Sequence, residues 1–412
     1  MKLENNPKNV NKQKKIIYVT DVLDELSSGV TKKIYSQCFA FYNLGFQVYL
    51  YINRIDRCVC YEVNKGRMIE IFNKKYSYPF VTSFVRSKNI LKILQKKYHT
   101  YIRIREFFKN LYEMDLSKNF EVIYIREVAP ITNILIKYLK KSKRDGKKII
   151  YEYSTYPWET EVIKSKNYFI YILDKIYYKK LISLLDYITV ILGKQMNLPS
   201  KFITISNGVN IKSVNKKKQN YRKNGEFHMI GLANVQYWQG YDRIIKGIAI
   251  YNNNSCIKDK AYFHIVGNGN NIFELKELTK RNGLEKYIFF HGAKAGKDLD
   301  DFFNLCQVGI GNLGFHRQGI SIASPLKHRE YCARGIPFII SVNDLDFPEG
   351  FPYSKRIPAD DSEVNVEEII NYYNNIKVKF PNYINDMRNY AEKYLSWEKK
   401  LKPVVDVILK LH

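Results

Sequence analysis

Apolar residues in the first half of the chain come in short runs of about seven, separated by polar loops, as buried strands do. KKIIYVTD (14–21) reads as a strand. After Gly29 the apolar positions Ile34, Cys38, Phe41 and Tyr42 recur at helical spacing until Gly45, and FQVYLYI (46–52) is the next strand. Strand, loop, helix and strand make a βαβ unit, which implies a parallel sheet with a right-handed crossover. FEVIYIR (120–126) and KKIIYEYS (147–154) extend the series, with the helix ITNILIKYLKKSK (131–143) between them.

The second half repeats the alternation. FHMIGLA, YFHIVGNG, YIFFHGA, VGIGNL and PFIISV read as strands. YDRIIKGIAIY, IFELKELTKRN, DLDDFFNLC and PLKHREYCAR read as helices, the last stopped by Gly335. This predicts a second doubly wound α/β domain, in which ligands bind at the carboxyl ends of strands beside helix N-termini. IKSVNKKKQNYRKNGE, polar, basic and without periodicity, reads as a linker. The predicted domains are 1–209 and 210–385, with 386–412 as a tail helix.

At 412 residues two cores are expected. The six cysteines show no zinc or redox spacing and are expected to be reduced. No apolar run reaches the roughly 18 to 20 residues that span a bilayer. The N-terminus lacks the apolar core of a secretion signal, so a cytoplasmic protein is expected. The net charge of +27 is uneven: residues 1–210 hold 37 Lys and Arg against 18 Asp and Glu, the rest 30 against 22. Such a field favours anionic partners.

Candidate chemistry concentrates in GISIASPLKHREYCARGIPFII, where Pro325 suits a first helical turn and Ser324 an N-cap. Lys327, Glu330 and Arg334 share one helix face, which is either a solvated face with a Lys–Glu pair or a site gripping an anion. Gly267-Asn268-Gly269 and the loop ending in Gln239-Gly240 are two more strand-to-helix turns. Arg243 lies in a first helical turn, where a cation opposes the helix dipole unless an anion compensates it. TYPWETE follows a strand with Tyr156, Trp158, Glu159 and Glu161, residue types that suit sugar binding or a packed turn equally. His316 and Arg317 follow a strand end; His99, His228, His264, His291 and His412 read as structural or incidental. The aspartates of DLDD and DLD read as solvent-exposed, and no metal site is expected.

NVQYWQGYDRIIKGI, FHIVGNGNNIFELKEL, IFFHGA and SPLKHREYCARGIPFI together resemble the GT-B glycosyltransferases, specifically the family 4 retaining enzymes that use nucleotide-sugar donors. SSGVTKKI, ISNGVN and YEYSTYPWETE extend the resemblance over nearly the whole chain, the last resembling polysaccharide-assembly members. The resemblance implies two Rossmann-like domains facing a cleft, with the tail helix crossing back to the first and Trp397 packing between them. It implies a hexosyltransferase-like enzyme of surface or capsular polysaccharide assembly. Transfer would proceed with retention and without metal or cofactor, the departing phosphate taking the acceptor's proton. Glu330 would bind the nucleotide ribose, with Gly29, Gln239, Gly240, Asn268, Gly269, Ser324 and Leu326 around the donor and Tyr156, Trp158 and Glu161 around the acceptor. Two positions depart from the family: Ile322 stands where the first Glu of the Glu-x7-Glu pattern belongs, and Gln239 where a diphosphate-binding Lys belongs. Lys327 and Arg243 are then the expected cations for the leaving group.

A sugar-nucleotide epimerase is an alternative, but no set of acid/base groups for one stands out. A basic nucleic-acid-binding protein is another, but no such motif is present and no nucleic-acid partner is expected. A lipid-linked acceptor would bring the chain to an anionic membrane. KYLKKSKRDGKK (137–148) and KNYFIYILDKIYYKKLI (166–182) are the segments expected to rest there, unless both are ordinary helices with apolar faces in the core.

Overall fold

A computed structural model describes residues 13–23, 29–77, 90–154, 156–157, 168–191, 198–219, 225–254, 256 and 259–410. The chain forms two compact units, Met1–Ile205 with Leu401–His412 and Ser206–Lys400.

In the first unit β1 (Lys15–Leu23), β2 (Gln47–Asn53), β5 (Val122–Arg126), β6 (Lys148–Tyr153), β7 (Tyr187–Ile191) and β8 (Phe202–Ile205) are parallel. The sequence reading missed the pair β3 (Arg57–Asn64) and β4 (Arg67–Lys75), antiparallel on the β2 edge. Their turn is Lys65-Gly66, both at positive φ, a two-residue connection that matches strand twist. The order is β4-β3-β2-β1-β5-β6-β7-β8.

Alternation along the strands sends side chains to opposite faces. Ile17, Val19, Ile123 and Ile125 share one core with Phe107, Phe108 and Leu111 of α2 (Ile90–Lys118). Leu135, Ile136 and Leu139 of α3 (Asn133–Arg144) and Leu181 of α4 (Tyr168–Leu184) join the same core. These three helices therefore form one layer. Tyr18 and Tyr124 face the other way, where Phe41 of α1 (Gly29–Asn43) meets the Tyr124 ring at 5.3 Å.

The second sheet is parallel throughout, in the order β11-β10-β9-β12-β13-β14. Its strands are β9 (Glu226–Leu232), β10 (Lys260–Val266), β11 (Ile288–Phe290), β12 (Val308–Ile310), β13 (Phe338–Ile340) and β14 (Ser354–Arg356). The helices between them are α5 (Tyr241–Asn253), α6 (Ile272–Arg281), α7 (Gly296–Leu305) and α8 (Leu326–Arg334). Fully buried Ile230, Ile244, Ile265 and Ile339 lie in its core, each contributing about 1.5 to 3 kcal/mol. The chain runs outward from β9 to β11, then returns to β12 beside β9, so the strand order reverses between β9 and β12.

Three expectations about boundaries are corrected. The described part of the stretch read as a linker (211–219) is anchored to the second unit: Lys217 is buried and donates to the Cys306 carbonyl at 2.5 Å, and its amide donates to Arg334 O. The tail predicted at 386–412 is not one helix. After α9 (Val366–Lys379) and α10 (Tyr383–Tyr390), a π turn at Ala391–Leu395 and an extended Ser396 precede α11 (Trp397–Lys410). Residues 386–400 belong to the second unit, and Trp397 is buried against Gly208 of that same unit.

Candidate functional site

The reversal between β9 and β12 marks where a doubly wound sheet leaves a crevice at its strand ends. The loop after β9 (233–240) and the loop after β12 (311–325) both start there. Gly240 joins them: at φ +69, a side chain on it would meet the Leu313 carbonyl carbon at 2.7 Å. On the other flank, a side chain at Gly269 would lie 2.1 Å from Val235 O. The backbones lock there, Val235 N–H donating to Asn268 O (2.8 Å) and Asn271 N–H to Val235 O (3.1 Å). Gly240 and Gly269 are thus required by close backbone approach.

Lys327, on the first turn of α8, reaches into this junction. Its Nζ donates to Gln239 Oε1 (2.6 Å), Gly311 O (3.0 Å) and Tyr241 Oη (3.2 Å). Asn312 Nδ2 donates to the same Gln239 oxygen at 2.9 Å. Burial pushes the Lys327 pKa far below that of an ordinary lysine. All three ammonium hydrogens have protein acceptors, so Lys327 ties both loops to α8. It forms no pair with Glu330, which accepts from Arg334 at 2.9 Å. Arg334 continues to Asp300 at 2.6 Å. The solvated-face reading fails for Lys327, His328, Arg329 and Arg334, all buried. Glu330 alone stays half-exposed, and among the described residues its Oε2 has no hydrogen-bond partner.

Arg243 does not stand ready for a phosphate. Its guanidinium is buried and donates to the carbonyls of Leu313 (2.6 Å), Ser362 (2.8 Å) and Pro358 (3.1 Å), with Asp360 at 3.3 Å. The dipole mismatch in the first turn of α5 is met by these oxygens. Arg317 is likewise held, by Asp242 (2.7 and 2.9 Å) and Asp361 (2.7 Å), which raise its pKa; His316 pairs with Asp361 at 3.1 Å.

Ser324 is not the N-cap. Pro325 holds that position without a side-chain bond, and Ser324 Oγ accepts from the Asn207 amide at 2.9 Å while Asn207 Nδ2 donates to Ser324 O at 2.6 Å. The first amides of α8, those of Leu326 and Lys327, have no intrahelical acceptor. Among the described residues, three buried acceptors near this end of the sheet have no donor: Asn207 Oδ1, Asn312 Oδ1 and His328 Nε2.

The sequence reading missed what holds α8 in place. Asp344, read as solvent-exposed, is fully buried and accepts from His328 Nδ1 (2.9 Å) and from both terminal nitrogens of Arg329. Arg329 also binds Asp346, which Lys400 meets at 2.6 Å. The guanidinium beside it holds Asp344 at about 2 despite its burial, and burial lowers His328 to about 4. Also missed was a chain across three neighbouring strands. Glu226 lies 3.2 Å from His228 Nε2, and His228–His264 and His264–His291 each bond at 2.9 Å. Burial and the flanking histidines push His264 down to about 3.

In the first unit Gly29 opens α1, with nothing within 4 Å of an added side chain. Tyr156 is half-buried against the rings of Tyr153 (5.8 Å) and Phe202 (5.4 Å), as in a packed turn. Trp158, Glu159 and Glu161 lie outside the described residues. Asp21, at the end of β1, and Asp174 of α4 are pushed by burial to about 6 and about 7, and Asp174 accepts from the Ile131 amide at 2.6 Å. Among the described residues no group of three or more His, Cys, Asp or Glu is placed to hold a metal ion.

Residues 213–347, which contain the whole junction, match the family model described as glycosyl transferases group 1. The chain carries a glycosyltransferase domain. No curated protein matches it in sequence. Among solved structures, sucrose-phosphate synthase from Thermosynechococcus elongatus is similar at a TM-score of 0.65 and 12% identity, covering 97% of this chain and 99% of that one. The catalytic domain of starch synthase IV from Arabidopsis thaliana, bound to ADP and acarbose, has a TM-score of 0.65 at 10% identity with the same coverage. The pneumococcal O-GlcNAc transferase GtfA, in complex with UDP and GlcNAc, has 0.58 at 12%, again covering 97% and 99%. At such identities the likeness establishes the fold, and the fold of this glycosyltransferase is GT-B: two Rossmann-like α/β units.

Proposed function

We propose that the chain transfers a sugar from a nucleotide-sugar donor to a saccharide or lipid-linked saccharide acceptor, as a family 4 type enzyme of surface or capsular polysaccharide assembly. The observation that carries this reading is the start of α8 at the strand-order reversal, flanked by the unengaged oxygen of Glu330 and by buried acceptors without donors. The amides of Leu326 and Lys327 suit a diphosphate. Glu330 Oε2 suits ribose hydroxyls, and the orphan acceptors suit sugar hydroxyls. Lys327 and Arg243 then act as positioning residues: Lys327 fixes the 239 and 311 loops, and Arg243 fixes the 313 and 358–362 segments.

In the reaction the bond from the anomeric carbon to the diphosphate oxygen breaks and a bond to the acceptor oxygen forms on the same face. The acceptor's proton passes to the departing phosphate. Negative charge grows on the diphosphate in an oxocarbenium-like transition state, and fixed amides stabilise it without reorganising. No metal is needed in this scheme. The acceptor would be held by the first unit, and one carried on a lipid would bring the enzyme against an anionic membrane in the cytoplasm. An epimerase is not favoured, because the domain match and the similar structures are transferases.

The test is a thermal-shift screen against UDP, GDP, ADP and TDP sugars, then product analysis with the nucleotide sugar that stabilises most. Saturable stabilisation by one nucleotide and a product of retained configuration are expected. No stabilisation by any of the four would overturn the reading.

A further inference from the structure

The outer face of the α2–α3–α4 layer carries two features that the transfer reaction leaves without a role. Between α2 and α3 runs a groove of 530 Å³ lined by Lys109, Lys137, Lys140, Lys141, Arg144 and Tyr112. The four cations of α3 recur at three- and four-residue spacing, so they lie on one helical face as like-charge neighbours, an arrangement that destabilises a helix in isolation. None of these five cations forms an ion pair, among the described residues. The one carboxylate of the groove, Glu113, is paired with Lys74 at 2.5 Å. Lys141 lies 4.4 Å from the centre of the Tyr112 ring. The opposite face of α3, with Leu135, Ile136, Tyr138 and Leu139, is in the core.

The second feature is on α4. Tyr168, Ile172 and Ile176 follow each other at helical spacing and are 60%, 57% and 64% exposed. Lys175, Lys179 and Lys180 are exposed beside them. The core side of α4 carries Asp174 and Leu181, so the apolar stripe faces away from the core. α3 lies between α2 and α4 in the layer, and cations and apolar stripe therefore share one outward surface.

We infer that this surface docks on an anionic lipid bilayer, the groove cations meeting headgroup phosphates while Tyr168, Ile172 and Ile176 enter the headgroup boundary. A bilayer answers both features at once. A second copy of the chain would cover the stripe but oppose one set of unpaired cations with another. A nucleic acid would meet the cations and leave the isoleucines in water. The inference names the surface for the membrane contact included in the proposed function. Its test uses vesicles without acceptor, so its outcome does not depend on sugar transfer.

The experiment is cosedimentation of the full chain with phosphatidylcholine vesicles and with mixed phosphatidylglycerol–phosphatidylcholine vesicles, at low and high salt. Binding is expected only to the mixed vesicles and is expected to weaken with salt. The variant Lys137→Gln, Lys140→Gln, Lys141→Gln, Arg144→Gln is expected to bind roughly a hundredfold more weakly. Ile172→Ser with Ile176→Ser is expected to lose roughly tenfold. Both variants keep the core side of their helices, and an unchanged thermal midpoint verifies folding. No binding to mixed vesicles, full binding by the four-cation variant, or dimerisation abolished by the isoleucine substitutions would each overturn the inference.

Discussion

In the second unit the cations nearest the candidate site are held by the protein itself. Arg243 binds three carbonyls, Arg317 two aspartates, Arg329 Asp344 and Asp346, and Lys327 an amide oxygen, a carbonyl and a phenol. In the first unit Lys33 and Lys147 are buried with Glu152 and Asp115, but Lys137, Lys140, Lys141 and Arg144 have no carboxylate partner among the described residues. A buried cation needs partners, and here the protein supplies them, so a basic residue near a strand end is not by itself a phosphate ligand. In the proposed reading, donor recognition in the second unit is therefore left to backbone amides and Glu330. The positive charge on the α2–α3–α4 layer, without an ion pair among the described residues, is what the inferred bilayer contact would use.

Removing one member of the interior network is the harshest way to test this contrast. Asp344→Ala leaves Arg329 buried with half its partners, at an expected cost of about 3 to 5 kcal/mol in urea unfolding. Replacing the four outward cations of α3 is expected to change stability by less than about 1 kcal/mol. Comparable costs would erase the distinction.

Acid should separate the units next. His328, held near 4 against 6.5 when unfolded, contributes fully above pH 6.5 and loses that contribution as pH falls toward 4, by about 3 kcal/mol. His264, near 3, acts in the same direction. Asp21 and Asp174, raised to about 6 and about 7, do the opposite: their protonated forms are favoured in the fold, so acidification from pH 7 stabilises the first unit. Calorimetry at pH 7 and pH 5 should show the second unit's transition falling relative to the first's. Parallel shifts would contradict the assignment.

Exchanging the junction pair sharpens the comparison locally. Gln239→Lys sets a second ammonium where Lys327 needs an acceptor, and is expected to cost about 1 to 3 kcal/mol of stability. Adding Lys327→Gln should recover most of it. If the single substitution is neutral, Lys327 does not depend on the Gln239 oxygen. The smallest effect expected is that of EDTA on turnover, which should be none. Loss restored by Mg²⁺ or Mn²⁺ would replace the amide-based account.

The alternation of strand and helix from 226 to 340 was legible because each element keeps one period and most are followed closely by a Gly or Asn. The β3–β4 pair and α2 were not. β4 is half-exposed and mixes charges into its pattern, and α2 is as polar as it is apolar along 29 residues. At the site, the sequence exposed the SPLK start of α8 and both glycine turns. It hid the partners: Arg243 is answered 70 to 119 residues away and Arg329 by an aspartate beyond the next strand. A charged residue's sequence neighbours do not reveal whether its own fold will satisfy it, and that is why interior struts read as ligands.

The central claim, that the second unit binds a nucleotide through the start of α8 and Glu330, is tested most directly by titration calorimetry. The titrant is the nucleoside diphosphate that stabilises the protein best, with wild type measured against Glu330→Ala. Asp300 still holds Arg334 in the variant, so its unfolding midpoint should stay near that of wild type. The account predicts a loss of about 1.5 to 3 kcal/mol in binding, the worth of a charged acceptor's hydrogen bonds. Equal affinity of the two proteins would contradict it.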